Sequence, residues 1–351
     1  MIMVSTRERQ DRATGTVATG EVLLKVRDLR TSFFTMDGVV RAVDGVDLTV
    51  RAGETYCIVG ESGSGKSMAA LSVLGLLPKP QGRIVGGTVE FEGRDLVTMP
   101  DRELRAIRGN RIAMIFQEPM TSLNPVFTIE RQLTEAIRAH RNVSRKEAID
   151  LAADLLNKVH IPSPRQRLKE YPHRMSGGMR QRVMIAMAMA CEPRLLIADE
   201  PTTALDVTIQ AQILDLIEEL KAETGVAVLM ITHNFGLVAE TAQRTAVMYA
   251  GRIVEDAPTK DLFRAPTHPY TRGLLKAMPR LGSKSAATRG KLPEIPGIVP
   301  KLTGDLRGCA FAPRCPHATQ TCWSDAPLPI EVAPGHLVRC RPDLIASEYP
   351  Q

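Results

Sequence analysis

The most constraining feature of the sequence is a glycine-rich octapeptide, Gly-Glu-Ser-Gly-Ser-Gly-Lys-Ser, at positions 60–67. An apolar, β-rich run (residues 54–59) precedes it, and a run of helical character (residues 66–77) follows and is stopped by Pro78 and Pro80. In the spacing G-x-x-x-x-G-K-[ST], glycines let successive backbone amides turn toward phosphate oxygens. The sequence therefore predicts a phosphate-binding loop, with contacts from Gly60, Ser62, Gly63, Ser64, Gly65, Lys66 and Ser67.

Two side chains of the octapeptide have specific chemistry. In such a loop the Lys66 ammonium group reaches the β- and γ-phosphates, and the Ser67 hydroxyl ligates Mg²⁺. The N-terminus of the helix that follows adds the positive end of its dipole. The alternative is a glycine-rich turn that matches the spacing by accident, and the strand before the loop and the helix after it argue against that alternative.

A second apolar run, residues 195–198, ends in the carboxylates of Asp199 and Glu200. A carboxylate at the end of a strand beside a phosphate loop is suited to hold Mg²⁺, so Asp199 is predicted to be a ligand together with Ser67. Glu200 is then placed to orient or deprotonate an attacking water. This pattern is weak evidence by itself and becomes strong evidence downstream of a phosphate loop.

The rest of the chain is organised around these motifs. Strand-like runs occupy residues 22–50, and the amphipathic segment 209–223 connects two apolar runs, which predicts a βαβ unit in a parallel sheet. Residues 129–190 are predicted to form a helical subdomain. Because 14 of the 24 prolines lie at or beyond Pro258, the C-terminal part is expected to be rich in loops. The expected divisions are a flexible tail (1–20), a nucleotide-binding domain (21–284) and a C-terminal region (285–351).

Composition excludes several classes of protein. Of the 351 residues, 44% are hydrophobic and 24% are charged, which is typical of a chain with a substantial core and not of disordered or collagen-like chains. No apolar run approaches the roughly 20 residues that span a bilayer, and the polar N-terminal segment is not expected to act as a secretory signal. The formal net charge of +6 is compatible with a nucleic-acid or anionic membrane partner, but the scattered lysines and arginines favour a solvated surface.

Between the phosphate loop and the acidic strand lies Met-Ser-Gly-Gly-Met-Arg-Gln-Arg, residues 175–182. It resembles the signature of ABC ATPases, which that family writes Leu-Ser-Gly-Gly-Gln, and Met175 and Met179 are the departures. The resemblance covers residues 22–285. It implies an α/β fold, a P-loop NTPase cassette with a RecA-like core, an antiparallel β subdomain and an α-helical signature subdomain, to which a small Pro-rich four-cysteine appendage is added.

The same resemblance implies roles for single residues. Gln117 matches the Q-loop glutamine, which contacts Mg²⁺ and signals to the membrane partner, and His233 matches the switch histidine near the γ-phosphate. Phe33 falls where the family stacks an aromatic ring on adenine, with Phe34 as a competitor, although a Phe here is otherwise an ordinary core residue. Ala204-Leu205-Asp206 resembles the D-loop. The implied catalytic residues are Glu200, His233, Lys66 and Gln117, and the signature contacts to the partner subunit's nucleotide are Ser176, Gly177 and Gly178.

Segments such as QEPMTSLNPV, THPYTRGLL, IPGIVP and GCAFAPRC resemble more narrowly the ATP-binding subunits of oligopeptide and dipeptide importers, a subfamily that includes nickel importers. The resemblance implies an ATPase that drives peptide import from the cytoplasmic face of the membrane. Its implied partners are a second ATP-binding subunit, two permease subunits and an extracytoplasmic solute-binding protein, without nucleic acid.

Other functions remain open at this point. The transported solute could be nickel or glutathione instead of a peptide. A soluble ABC ATPase acting on ribosomes or DNA is disfavoured because the chain has one cassette and no long coiled coil between the phosphate loop and the signature. A non-hydrolysing nucleotide-binding regulator is a further alternative, which a measurable ATPase rate excludes.

Four of the six cysteines lie close together in the C-terminal region: Cys309, Cys315, Cys322 and Cys340. ATP and Mg²⁺ place the chain in the cytosol, where disulfides rarely persist, and four thiolates are a full ligand set for a [4Fe–4S] cluster or a structural zinc. The paired C-x2-C spacing of zinc sites is absent. Members of the subfamily that the chain resembles carry an iron–sulfur cluster here, so a cluster is expected, with zinc or unligated thiols as alternatives.

Overall fold

The computed structural model describes residues 20–118, 122–203, 205–278, 294–300, 303 and 307–341. Several parts of the sequence-based predictions lie outside these residues. Among them are positions 1–19 of the expected tail, residues 119–121 of the QEPMTSLNPV segment, Ala204 of the D-loop, the expected boundary at residue 285 and residues 342–351 of the C-terminal region. No helix of the described part is both long enough and apolar enough to cross a bilayer.

The strands are, in chain order, β1 (Val22–Thr35), β2 (Gly38–Arg51), β3 (Thr55–Val59), β4 (Gly82–Phe91), β5 (Arg94–Asp95), β6 (Ile112–Ile115), β7 (Leu195–Asp199), β8 (Ala227–Thr232), β9 (Arg244–Tyr249), β10 (Arg252–Pro258), β11 (Ile330–Ala333) and β12 (His336–Val338). They form two sheets. The smaller is antiparallel, in the order β2-β1-β4-β5. The larger has the order β11-β12-β10-β9-β3-β8-β7-β6.

The helices are α1 (Lys66–Val73), α2 (Asp101–Ile107), α3 (Ile129–His140), α4 (Arg145–Lys158), α5 (Pro164–Arg167), α6 (Gly177–Met189), α7 (Val207–Thr224), α8 (Phe235–Thr241), α9 (Thr259–Arg264), α10 (Pro269–Lys276) and α11 (Thr321–Ser324). Side-chain caps begin several of them: Ser144 and Glu147 form a capping box on α4. α1 is shorter than the predicted run to residue 77, because Gly75 adopts a left-handed conformation (φ +61°) and ends it.

The larger sheet is parallel in its centre, from β9 through β3, β8 and β7 to β6. Every residue of β3, β7 and β8 is buried, as expected of parallel strands that are covered on both faces. The predicted βαβ unit is confirmed as β7–α7–β8. β10, β12 and β11 extend this sheet in antiparallel fashion, so that the C-terminal region contributes two strands to the sheet that carries the phosphate loop.

Alternate residues of β3 belong to two different cores. Tyr56 and Ile58 pack with the antiparallel sheet and α1, whereas Cys57 and Val59 pack with the helices on the opposite face, among them α3, α4, α6 and α7. This separation follows from the two-residue period of a strand. The phosphate loop leaves the end of β3 and therefore starts from a strand that is fixed on both faces.

A buried carboxylate joins the C-terminal hairpin to this sheet. Glu255 of β10 is fully buried, and its carboxylate accepts hydrogen bonds from the backbone amides of Thr267 (2.7 Å) and His268 (2.9 Å). It also lies 2.8 Å from Nε2 of His336 in β12. Buried charges persist only when several partners surround them in this way.

Replacement of this carboxylate is expected to destabilise the protein. Glu255→Ala leaves two buried amides and an imidazole without their acceptor, which lowers the free energy of unfolding by about 3 kcal/mol. The measurement is urea denaturation followed by circular dichroism. Glu240→Ala, at an exposed position of α8, is the control, and equal denaturation midpoints for the two variants would contradict the assignment.

Candidate active site

Two glycines of the phosphate loop lie against backbone carbonyl groups of the two sheets. A Cβ at Gly60 (φ +156°) would lie 2.2 Å from the carbonyl oxygen of Met248 in β9. A Cβ at Gly65 (φ +104°) would lie 2.3 Å from the carbonyl oxygen of Ala42 in β2. Neither position accommodates a side chain, so the glycines are required by close approach as well as by conformation.

The Lys66 side chain is folded back along the loop. It is 5% exposed, and its ammonium group donates to the carbonyl oxygens of Gly60 (2.8 Å) and Glu61 (2.9 Å). Burial lowers the pKa of Lys66, against the opposing effect of the nearby carboxylates of Glu200 and Asp199. The cation thus spans the loop at the place where a phosphate group is predicted.

The two predicted magnesium ligands are adjacent. The Ser67 hydroxyl donates to Oδ1 of Asp199 over 3.0 Å, which joins the start of α1 to the end of β7. Asp199 is 4% exposed, and burial raises its pKa. A hydroxyl and a carboxylate beside a phosphate loop form a donor set that suits Mg²⁺, so these residues fit the ion that the sequence predicts.

Glu200 is brought together with the glutamine and the histidine that the family resemblance indicates. Its Oε2 lies 3.4 Å from Nε2 of Gln117 and 3.4 Å from Nδ1 of His233, and it accepts a 2.8 Å hydrogen bond from the hydroxyl of Thr203. Glu200 itself has φ +45°, a conformation in which non-glycine residues are rare. Three segments that follow β6, β7 and β8 therefore converge on one carboxylate.

A cavity of about 500 Å³ opens over the loop, a size that suits a small-molecule ligand. The residues that the sequence assigned to the site and that line this cavity are Ser62, Gly63, Gly65, Lys66, Ser67, Gln117 and Glu200. Val299 and Pro300 of the C-terminal region also line it, although no motif assigned them to a nucleotide site. The sequence offered one hint, since the segment IPGIVP belongs to the narrower family resemblance, but it carried no site assignment.

Phe33 does not line this cavity. It is half-buried, and its ring packs against Gly82, where a Cβ would lie 3.0 Å from Cε1 of Phe33. Phe34 is 44% exposed and lies under the guanidinium group of Arg83. Val40 occupies the cavity wall on this side. Adenine stacking by Phe33 therefore stays a prediction.

The signature residues lie away from the phosphate loop of their own chain. Ser176 is exposed and caps α6 by accepting a hydrogen bond from the amide of Met179. Gly178 packs against Ile209 in the first turn of α7, which Asp206 caps. None of the described residues Ser176, Gly177, Gly178 and Asp206 lines the nucleotide cavity, so the exposed start of α6 is available to another chain.

The four C-terminal cysteines surround a common cavity together with Phe311 and His268. All of them are free thiols. Burial raises the pKa of Cys309 and Cys315, and raises that of Cys340 to about 11. Among the described residues, no group of three or more His, Cys, Asp or Glu side chains is arranged to hold a single metal ion.

The glycines of the loop provide a test of this geometry. Gly63 has φ +79° with open space around it, so the only cost of Gly63→Ala is that of a left-handed conformation for a residue with a side chain, about 1–2 kcal/mol. ATP binding is therefore expected to weaken by about tenfold. Gly65→Ala adds a clash with backbone and is expected to weaken binding by more than about 100-fold. Titration with a fluorescent ATP analogue measures both, and equal losses would contradict the close approach.

Two family models and several known proteins match the sequence over most of its length. Residues 43–203 match the family model described as ABC transporter, and residues 254–322 match that described as oligopeptide/dipeptide transporter, C-terminal region. The chain is 57% identical over 320 residues to a probable peptide ABC transporter ATP-binding protein, y4tR, of Sinorhizobium fredii, covering 91% of this chain and 95% of the relative. It is 51% identical over 329 residues to the oligopeptide transport ATP-binding protein OppD of Salmonella typhimurium, covering 93% and 96%.

Solved structures share the cassette part of the fold. One is a dimeric, post-hydrolysis state of the ATP-binding cassette MJ0796 bound to ADP and Pi, with 26% identity and a TM-score of 0.61, covering 68% of this chain and 99% of that one. Another is cbiO1 from Clostridium perfringens, with 25% identity and a TM-score of 0.59, covering 70% and 92%. The chain belongs to the ATP-binding protein family of ABC transporters, in the branch that carries the oligopeptide/dipeptide transporter C-terminal region.

Proposed function

We propose that this chain is the ATP-hydrolysing subunit that powers import of di- and oligopeptides through a membrane ABC transporter. The observation that carries the ATPase part is the convergence of Gln117, Glu200 and His233 beside the Ser67–Asp199 pair. The peptide cargo is supported by relatives of 50–57% identity that are named peptide or oligopeptide transport proteins. None of these relatives is described as a nickel or glutathione transporter.

Binding of ATP uses the fixed backbone of the loop. The amides of residues 62–67 and the Lys66 ammonium group contact the β- and γ-phosphates, and Ser67 and Asp199 hold Mg²⁺, which supplies charge neutralisation at those phosphates. Because Lys66 is buried and already positioned along the loop, little side-chain ordering is required when the phosphates arrive.

We assign hydrolysis to Glu200 and the side chains that contact it. The Glu200 carboxylate accepts a proton from the attacking water, while Thr203, Gln117 and His233 fix the direction of its Oε2. His233 is far more exposed than Glu200 and is suited to respond to the γ-phosphate. Gln117 follows β6 at the surface and links these side chains to the membrane partner.

The nucleotide site is completed by a second chain. The start of α6 is a helix N-terminus beside the exposed Ser176, an arrangement that favours a phosphate group. We assign Ser176, Gly178 and Asp206 to the γ-phosphate side of the partner's nucleotide. A related but distinct ATP-binding subunit, two permeases and a solute-binding protein complete the proposed assembly, in which this chain lies peripherally at the cytoplasmic face of the membrane.

The C-terminal region (285–351), beyond the ATP-binding domain (21–284), is proposed to bind a [4Fe–4S] cluster. Four thiols around one cavity fit a thiolate-ligated group. Zinc is the alternative group for four thiolates, and metal analysis distinguishes the two. The cluster would supply cross-links within a segment that has little core of its own.

Glu200→Gln tests the assignment of the base. The amide cannot accept a proton, so turnover is expected to fall by about 10²–10⁴-fold while the Kd for ATP stays within about threefold of the wild-type value. Steady-state phosphate release and equilibrium ATP binding are the measurements. Glu192→Gln, an exposed carboxylate elsewhere in the chain, is the control, and normal turnover by Glu200→Gln would refute the assignment.

Transport is tested in the complete assembly. Co-purification of the chain from membranes should recover a second ATP-binding subunit and permeases, and reconstituted vesicles should take up labelled oligopeptide in an ATP-dependent manner. Lys66→Ala is expected to abolish that uptake because it removes the cation at the phosphates. Uptake that is unaffected by Lys66→Ala would contradict the proposed function.

The cysteine site is tested by metal analysis. Protein purified without oxygen should contain iron and acid-labile sulfide in equal amounts, and Cys322→Ser should lose both. Cys57→Ser is the control, since Cys57 is buried in β3 far along the chain from the site. A folded wild-type protein without iron, or with zinc in its place, would contradict the cluster.

A further inference from the structure

The side chain of Arg314, next to Cys315, uses all of its hydrogen-bond donors. Its Nε donates to the carbonyl of Pro296 (2.8 Å), and its two terminal nitrogens donate to both carboxylate oxygens of Glu61 (2.7 and 3.0 Å). They also reach the carbonyl of Ile295 (3.0 Å) and the hydroxyl of Tyr249 (3.4 Å). Arginine has five N–H donors, so each has a partner, although the side chain is only 4% exposed.

Glu61 is the second residue of the phosphate loop, and every polar group that it carries is bound. Its amide donates to the hydroxyl of Tyr270 (2.9 Å), its carbonyl accepts from Lys66 (2.9 Å), and its carboxylate forms the two bonds with Arg314. Nothing in the motif requires a charge here, because this position is variable in the pattern G-x-x-x-x-G-K-[ST]. The carboxylate therefore has a role other than phosphate contact.

Arg314 also holds the chain segment that forms a wall of the nucleotide cavity. The carbonyls of Ile295 and Pro296 bind its guanidinium group, and four residues further on Val299 and Pro300 line the cavity. Across from them Val40, another lining residue, forms a β-bridge with Thr303. Arg314 thus contacts the segment that leads to one wall of the nucleotide cavity and, through Glu61, the phosphate loop.

The cysteine cavity is lined by residues that neighbour Arg314 in the chain. Phe311, Cys309 and Cys315 line it, and the Phe311 ring packs edge-on against Tyr249 (5.2 Å between centroids) and at a tilt against Tyr270 (5.3 Å). These two tyrosines are the same ones that contact Arg314 and Glu61. The packing between the cysteine cavity and the phosphate loop is therefore continuous.

We propose that Arg314 is a positioning residue for the phosphate loop, and that the order of the four-cysteine segment sets the affinity for ATP through the Arg314–Glu61 pair. The proposal deepens the function proposed above and rests on it. A bidentate arginine–carboxylate pair fixes direction as well as distance. When the segment around Cys315 loses its order, Arg314 is displaced and the loop loses the contact that holds its second residue.

The first experiment is a double-mutant cycle on the full-length chain, with ATP binding measured on the chain alone and turnover measured on its complex with the second ATP-binding subunit. Arg314→Met and Glu61→Gln are each expected to raise the Kd for a fluorescent ATP analogue about tenfold, the size expected for loss of a charge-assisted hydrogen bond, and the double variant no further. The KM for ATP should rise with it, while kcat at saturating ATP stays within about twofold of the wild-type value. Additive losses, or an unchanged Kd, would overturn the proposal.

Two variants separate positioning from a loss of folded protein. Arg339→Met removes an arginine of the same C-terminal region that donates instead to the carbonyl of Gly45, and it should leave the Kd unchanged. Arg314→Lys keeps the charge but cannot form the bidentate pair, and its Kd should lie between those of the wild-type protein and Arg314→Met. If the substitution at Arg314 only destabilised the whole protein, a smaller folded fraction would lower the apparent kcat and leave KM unchanged. That result would contradict the positioning role of Arg314.

The effect of the four-cysteine segment on ATP affinity is tested by introducing Cys322→Ser into the wild-type protein and into the Arg314→Met variant. This variant should raise the Kd for ATP several-fold in the wild-type background. It should leave the Kd unchanged in the Arg314→Met background, because that substitution already removes the contact between the segment and Glu61 of the phosphate loop. Equal effects in both backgrounds, or none in the wild type, would overturn the coupling. Absence of ATP binding by the wild-type chain would instead count against the proposed function, so that the two failures are distinguishable.

Discussion

Two backbone carbonyl groups determine where a phosphate group can lie in this protein. The carbonyls of Met248 and Ala42 stand so close to Gly60 and Gly65, respectively, that a single methyl group in either place would collide with main chain. Ala42 belongs to the antiparallel sheet and Met248 to the larger one, so the loop is also the place where the sheets meet. The orientation of its amides is therefore fixed by rigid backbone on both sides, which is the condition for effective electrostatic binding.

The reacting side of the site is built differently. Its polar side chains follow the carboxyl ends of three neighbouring parallel strands, and they meet at Glu200 in an uncommon left-handed conformation (φ +45°). Such a conformation persists when surrounding contacts hold it, here the 2.9 Å bond from the Glu200 amide to the carbonyl of Ile231 and the bond from Thr203. A rigid phosphate cradle thus faces a carboxylate whose direction depends on three separate chain segments.

The sequence was sufficient for features that depend on neighbouring residues or on sheet topology. The loop, β7 with its two carboxylates, and the βαβ unit follow from local patterns, and the Met175 departure is explained by burial, since Met175 is a core residue where an apolar side chain of similar volume fits. The Arg314–Glu61 pair could not be predicted, because 253 residues separate its members and neither lies in a pattern that requires charge. Likewise, the IPGIVP segment contributes to the family resemblance, but nothing in it indicates that Val299 and Pro300 line the cavity.

The hairpin of β11 and β12 has a consequence for solubility. By pairing with β10 through Glu255 and Asp256, it occupies backbone donors and acceptors along the flank of the larger sheet, where a bare strand would offer a template for pairing with other molecules. The new outermost strand, β11, is only four residues long and has the exposed charge of Glu331, two properties that discourage such pairing. The C-terminal region therefore covers part of a sheet edge that would otherwise be open to pairing with other molecules.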